Sequence, residues 1–304
     1  MQPPLIKLEH SLNPSPLTRI DDPLLSRYGL ELWIKRDDLL HPIISGNKWR
    51  KLKYILNHAL SLECHTLISM GGAYSNHLHA LAYTGQALGL RTVGLIRGDA
   101  PQPLTPTLQD AHDWGMNLKF TSRSAYRLLR NHKNWHDLPN LKTGEYWLPE
   151  GGAQALALKG VAEAVQEIGL PYDYLCVPCG TGTTLAGLVG AVPGRRHVLG
   201  FAALKNAGFL YHDVAALLPK PHTHWQINLD YHFGGFAKTT PALLDFIARF
   251  QKQTGILLEP VYTGKMLYGL YDLIQKHAFS PGQRLIALHT GGLQGNRGFL
   301  CTEH

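Results

Sequence analysis

Residues Tyr174–Val192 read "YLCVPCGTGTTLAGLVGAV". They open on an apolar, strand-like run, close on an apolar run of helical length, and are joined by Gly180, Thr181 and Gly182. A buried strand that passes through glycines straight into a buried helix belongs to a sheet covered on both faces, the setting of parallel strands. Further strands are predicted at Leu32–Lys35, Thr66–Met70, Thr92–Ile96, His197–Ala203 and Arg284–His289. Helices are predicted over 47–62, 76–90, 160–168, 183–192, 241–255 and 264–277. Strands and helices alternate, so the fold class is α/β with open, mostly parallel sheets. Residues Ser122–Glu150 are more polar and irregular, and read as the place where one lobe hands over to another.

The same glycine turn suggests chemistry. Gly180, Thr181, Gly182, Thr183 and Thr184 bring backbone amides, hydroxyls and a helix N-terminus together, an anion cradle suited to phosphate. A threonine-capped turn accounts for the same residues without a ligand. A dinucleotide fingerprint would need glycine where Leu185 stands and an acidic residue about 20 positions on, and neither is present. No nucleotide P-loop pattern occurs either.

A second strand–turn–helix passage, "SMGGAYSNHLHALA" (Ser69–Ala82), sets Ser75 and Asn76 at a helix mouth after Gly71 and Gly72. Those side chains either cap the helix or bind a carboxylate or phenolic oxygen there. In "HPIISGNKWRKLKYIL" (His41–Leu56), Lys48 follows Ser45, Gly46 and Asn47 at a helix start. The helix dipole there disfavours a cation, and an amine of lowered pKa is what a Schiff-base nucleophile requires. Arg50, Lys51 and Lys53 allow the plainer reading of a solvated basic helix face. Cys176 and Cys179 form a lone C-x-x-C without the further ligands a zinc site needs, and His77 and His79, two apart on a helix, face different directions. No metal site is expected.

The 304 residues carry 44% hydrophobic and 17% charged residues, the balance of a globular chain long enough for two domains. The formal charge of +7 comes from Lys and Arg spread along the chain, which suits small anions better than nucleic acid. Four cysteines make no disulfide framework, and no stretch approaches the roughly 18 apolar residues of a membrane span. With no signal-peptide pattern at the N-terminus, a cytoplasmic location is expected, without nucleic-acid or membrane partners.

A phosphate cradle, an amine nucleophile and polar groups for an aromatic oxygen are the parts of a pyridoxal 5'-phosphate site. In "IKRDDLL…SGNKWRKLKYIL", "GGAYSNH", "VPCGTGTT", "EPVYTGKMLYGL" and "LIALHTGG" the sequence resembles the 1-aminocyclopropane-1-carboxylate deaminase/D-cysteine desulfhydrase family of tryptophan-synthase-β-like, fold type II enzymes. The resemblance implies two open, twisted sheet domains with the cofactor between them: residues 1–47 and 152–304 as the larger, cofactor-binding domain, and 48–151 as the smaller. It implies Lys48 as the Schiff-base lysine, Asn76 on the cofactor's 3′-oxygen, Ser75 near the substrate carboxylate, Gly180, Thr181, Gly182, Thr183 and Thr184 around the phosphate, and Tyr262 near substrate and ring. Ring-opening deaminases of the family carry Glu after that tyrosine and Leu before the last Gly-Gly pair; this chain has Thr263 and Thr290. A hydroxyl donating to an unprotonated ring nitrogen makes a shallower electron sink than a carboxylate does, which β-elimination tolerates. The expected reaction is elimination from D-cysteine to pyruvate, ammonia and sulfide. Ring opening, another sulfur-amino-acid lyase and a non-catalytic ligand-binding protein are the alternatives. Relatives of this fold are commonly dimers, so a homodimer acting on a small amino acid is expected. Tyr74 and Phe236 stand where the family often has Gln and Tyr.

Overall fold

The structure is a computed structural model that describes residues 1–44 and 46–300. Ser45, from the predicted Ser-Gly-Asn turn, lies outside them. In chain order the elements are α1 (Pro3–His10), β1 (Leu17–Arg19), α2 (Pro23–Arg27), β2 (Glu31–Lys35), α3 (Asn47–Ser61), β3 (Thr66–Gly71), α4 (Asn76–Leu88), β4 (Arg91–Arg97), α5 (Pro106–Asp113), β5 (Met116–Thr121), α6 (Arg123–Leu129), β6 (Glu145–Leu148) and α7 (Ala155–Gln166). There follow β7 (Tyr174–Cys179), α8 (Thr183–Ala191), β8 (His197–Ala202), α9 (Phe209–Leu217), β9 (Trp225–Asn228), α10 (Pro241–Thr254), α11 (Thr263–Gln275), β10 (Arg284–Leu288) and α12 (Arg297–Leu300). Among the described residues no helix is long and apolar enough to cross a membrane.

The chain forms two units. The first comprises Met1–Asn13, Leu40–Gly160 and the chain from Gln294 onward. Its four parallel strands run β5-β4-β3-β6. Side chains alternate across a strand, and here both faces are apolar. Leu67, Ile96, Tyr146 and Leu148 pack with Leu52 and Ile55 of α3, Leu78 and Leu81 of α4 and Leu108 of α5. Ile68, Met70 and Trp147 point the other way, onto Tyr126 and Leu129 of α6.

The second unit, Pro14–Leu39 with Val161–Leu293, holds a six-stranded sheet in the order β1-β2-β10-β7-β8-β9, parallel except for β1. Leu32, Ile34, Leu199, Phe201 and Leu285 face Phe246 and Phe250 of α10 and Met266 and Leu270 of α11. On the opposite face α8 approaches β8 at Gly200, where a methyl group would meet Leu185 Cδ2 at 2.8 Å.

These boundaries differ from the expected 1–47 plus 152–304 against 48–151. Residues 1–13 join the first unit because Leu5 is buried in its core and Gln2 N donates to Asn57 Oδ1 at 2.8 Å. Residues 152–160 join it as well, and residues 40–47 enter it with Ile44. Ser122–Glu150 is not a hand-over between lobes: it supplies α6 and β6, and β6 pairs with β3 inside the first sheet.

Candidate functional site

The predicted residues divide between the units: Lys48, Ser75 and Asn76 belong to the first, and Gly180–Thr184, Tyr262, Thr263 and Thr290 to the second.

In the first unit, Gly46 caps α3 with φ 67°, so the turn into Lys48 uses the left-handed backbone that glycine adopts without strain. Lys48 stands in the first helical turn, and its Nζ donates to Asn47 Oδ1 at 2.6 Å. The basic face beyond it is not solvated, contrary to the plain reading: Arg50, Lys51 and Lys53 are at most 6% exposed. Lys51 Nζ donates to Gly151 O at 3.2 Å, and Lys53 forms an ion pair with Glu9. The helix is central to its unit, so Lys51 is held by backbone and Lys53 by α1.

Ser75 caps α4, its Oγ accepting from Leu78 N at 3.2 Å while keeping its own proton to donate. A methyl group at Gly71 would sit 2.5 Å from that Oγ, so the capping geometry demands glycine there. Asn76 is oriented by a side chain the sequence did not point to. Gln294 Oε1 accepts from Thr107 Oγ1 at 2.7 Å and from Arg297 Nη2 at 3.2 Å, so its Nε2 must be the end that donates to Asn76 Oδ1, at 2.5 Å. With Oδ1 used, Asn76 presents its NH2 as the remaining polar group, the donor a phenolic oxygen requires.

His77 follows Asn76 and is fully buried. Ser69 Oγ gives its proton to Leu148 O at 2.8 Å, so it accepts from His77 Nε2 at 2.9 Å, and His77 Nδ1 is an acceptor without a partner among the described residues. Burial, with the nearby Lys48 and Lys51 charges, pushes the imidazole down to about 3. Between that value and the ordinary 6.5 the unfolded chain binds a proton that the folded one refuses, so stability falls as pH drops through this window. From pH 7 to pH 5 the wild type should lose about 2 kcal/mol through this group, and His77→Gln should lose correspondingly less. Urea unfolding of both proteins at the two pH values measures the difference; equal losses would remove His77 from this role.

In the second unit the N-cap of α8 is Gly182, which makes no side-chain cap hydrogen bond among the described residues. Gly182 has φ 75°, and a methyl group there would meet Val214 Cγ2 at 2.7 Å. Thr181 Oγ1 and Thr183 Oγ1 lie 3.0 Å apart, and Thr183 and Thr184 are buried. Gly180 lies against Tyr262: a methyl group would stand 3.2 Å from the phenol oxygen. The Phe236 ring centroid is 6.0 Å from that of Tyr262, edge to face. The position that departs from the family pattern therefore borders the predicted tyrosine.

The residue missed in the sequence is Glu259. It is 2% exposed and accepts from Val261 N at 2.7 Å, Tyr262 N at 2.9 Å, Thr263 N at 2.5 Å and Thr263 Oγ1 at 3.0 Å. Burial pushes its carboxyl up, against the pull of those donors. Its signal was legible in "EPVYTGK", an acid just ahead of a helix start. The finding revises the reading of Thr263: its single hydroxyl proton is directed to Glu259, not held ready for a ring nitrogen. Thr290 is buried and follows His289, whose Nε2 donates to Leu257 O at 2.8 Å and whose Nδ1 accepts from Gly291 N at 3.2 Å.

Among the described residues no group of three or more His, Cys, Asp or Glu is placed to hold a metal. Cys176 is buried with its thiol pushed up by desolvation, and Cys179 Sγ lies 3.7 Å from Val177 O.

The model of a family described as pyridoxal-phosphate dependent enzyme matches residues 8–291. The bifunctional D-cysteine desulfhydrase/1-aminocyclopropane-1-carboxylate deaminase, mitochondrial, of Arabidopsis thaliana is 32% identical over 93% of this chain and 77% of its own. A crystal structure of an ACC deaminase homologue superposes with a TM-score of 0.80 at 27% identity, covering 99% of this chain and 98% of that one. Threonine deaminase isoform 2 of Solanum lycopersicum, at 14% identity and TM-score 0.69, shares the fold over 99% of this chain and 91% of its own. The residues present fit pyridoxal phosphate: the glycine turn at Gly182 into a helix start suits the phosphate, and the Asn76 amide, turned by Gln294, suits the phenolic oxygen.

Proposed function

The chain belongs to the pyridoxal-phosphate dependent enzyme family, and from that premise we propose that it eliminates the β-substituent of a small amino acid, D-cysteine foremost, to give pyruvate, ammonia and sulfide. The observation that carries this reading is Thr263, fully buried in the first turn of α11 beside Tyr262, where ring-opening relatives carry a carboxylate.

When bound, pyridoxal phosphate supplies the electron sink for charge that develops at the substrate α-carbon. Lys48 Nζ would be the group that holds it, and its amine would be the base that takes the α-proton. The Gly180–Thr184 turn would hold the phosphate through backbone amides and hydroxyls, and the Asn76 NH2 would be the donor to the phenolic oxygen. Ser75 Oγ has a proton to offer a substrate carboxylate. The Tyr262 hydroxyl donates to the departing thiolate, and Phe236 beside it adds no competing donor. The Glu259 carboxylate, which also accepts from the Thr263 hydroxyl, holds the amides of Tyr262 and Thr263 at the start of α11, which fixes Tyr262. A homodimer in the cytoplasm is the accompanying proposal; the plant relative is named as mitochondrial.

A panel of D-cysteine, L-cysteine, β-chloro-D-alanine and 1-aminocyclopropane-1-carboxylate tests the reading through pyruvate, sulfide and oxoacid release. The kcat/KM for D-cysteine should exceed that for the cyclopropane acid by roughly tenfold or more. The Arabidopsis relative is named for both activities, so the cyclopropane acid is the second reading. Its predominance would overturn D-cysteine as substrate, and no turnover of any member would overturn the lyase.

A further inference from the structure

The segment Ser122–Glu150 contributes nothing to the reaction above, yet it carries three arginines within eight residues of sequence, and β4 ends in a fourth. In the structure Arg97, Arg123, Arg127 and Arg130 line one cavity of about 340 Å³ around Tyr126. We propose that this cavity binds a small multivalent anion bearing phosphate or carboxylate groups.

Charge is the first support. Four guanidiniums face a single described carboxylate, Glu150, which is taken by Arg130 Nε at 2.7 Å and by the Tyr126 hydroxyl at 2.7 Å. No carboxylate among the described residues pairs with Arg97, Arg123 or Arg127. Like charges held this close repel one another, and a bound anion relieves that repulsion.

Here the second support enters, because two of the four are held in place. Tyr126 is 2% exposed, packed against Ile68, Met70 and Trp147, and its hydroxyl is tied to Glu150. The Arg97 and Arg130 guanidiniums stand 5.9 and 5.6 Å from its ring centroid, within cation–π range. Arg97 also reaches the β3–α4 turn, its Nη2 lying 3.9 Å from where a methyl group at Gly72 would be. Arginine presents a planar fork that matches phosphate and carboxylate alike, so the chemistry shared by both is the ligand class. The cavity lies at the lower end of the ~300–1,000 Å³ usual for small-molecule pockets, which selects a compact anion over a polymer.

The test uses holoenzyme whose cofactor has been fixed by borohydride, so that the phosphate cradle at α8 is already filled. Calorimetric titration with inorganic pyrophosphate and with citrate, at matched ionic strength, should give saturable one-to-one binding. Pyrophosphate binding alone assigns the site to phosphate esters; citrate binding of similar strength extends it to polycarboxylates. Arg123→Ala and Arg127→Ala, both at exposed positions, should each weaken binding roughly tenfold without altering the melting temperature. The double reversal Arg123→Glu/Arg127→Glu should abolish it. Binding that survives the double reversal, or no saturable heat with either anion up to about 20 mM, an affinity too weak for a site, would overturn the proposal. A DNA oligonucleotide that binds through these arginines while both small anions fail would also overturn it, in favour of a nucleic-acid surface.

Discussion

Lys48→Ala protein reconstituted with pyridoxal phosphate is expected to lack the visible absorbance of lysine-bound cofactor and to turn over D-cysteine at least ~10³-fold more slowly. Positioned acid–base catalysis alone contributes about 10²–10⁴-fold, and the substitution also removes the proposed covalent anchor. The buried lysines make poor substitutes because their amines are committed. Lys265 is the nearest rival, since burial pushes its amine down to about 8. Its Nζ, however, donates to His232 O at 2.9 Å, Gly235 O at 2.8 Å and Ala203 O at 3.5 Å. An amine with three carbonyl acceptors is held as ammonium, without the lone pair a nucleophile needs. Lys35 is paired with Glu167 at 2.6 Å. Lys51→Ala serves as the control: it loses the contact to Gly151 O and some stability, but it should keep the absorbance band. A band that persists in Lys48→Ala would move the anchor elsewhere, to Lys265 first.

Gly160→Ala should be the most damaging single methyl in the protein. On α7 the added carbon would fall inside the van der Waals surface of the Arg50 carbonyl oxygen and 2.9 Å from its carbonyl carbon. Side chains can rotate out of such a conflict, whereas helix backbone cannot, so α7 must lift away from α3. Overpacking usually costs 1–3 kcal/mol, and a backbone obstacle puts the expected loss above about 3 kcal/mol. Gly169→Ala, where no atom lies within 4 Å, should be nearly neutral. Thermal and urea unfolding of the two variants measure the contrast; equal stabilities would overturn it. Arg50 lies two residues beyond Lys48, so Gly160 also sets how the lysine's helix is seated.

The strands and helices that were legible in the sequence are those whose apolar runs are uninterrupted, such as β3 and β7, each buried along its length and followed by a glycine turn. β5 escaped notice because "MNLKFT" mixes exposed Asn and Lys with half-buried Leu and Phe at the edge of its sheet. β6 has only four residues after a long polar passage, and only its pairing with β3 identifies it. The functional residues followed the same rule. Ser75, Asn76 and the Gly180–Thr184 turn announce themselves by local pattern, because a helix start needs such residues nearby. The burial of Arg50, Lys51 and Lys53 depends on partners far along the chain, among them Glu9 and Gly151, and charge alone does not reveal it. Glu259 was visible as an acid before a helix, but its grip on Thr263 emerges only once the turn is folded.

The hydrogen bond from Gln294 to Asn76 joins side chains 218 residues apart in sequence. At a synthesis rate of about 5–20 residues per second, Asn76 leaves the ribosome roughly ten to forty seconds before the group that turns its amide. The first unit's sheet is complete in sequence long before that, at β6. A nascent chain can therefore assemble that sheet while Asn76 is still free to rotate, and its amide takes a fixed direction only when the stretch that carries Gln294 folds back.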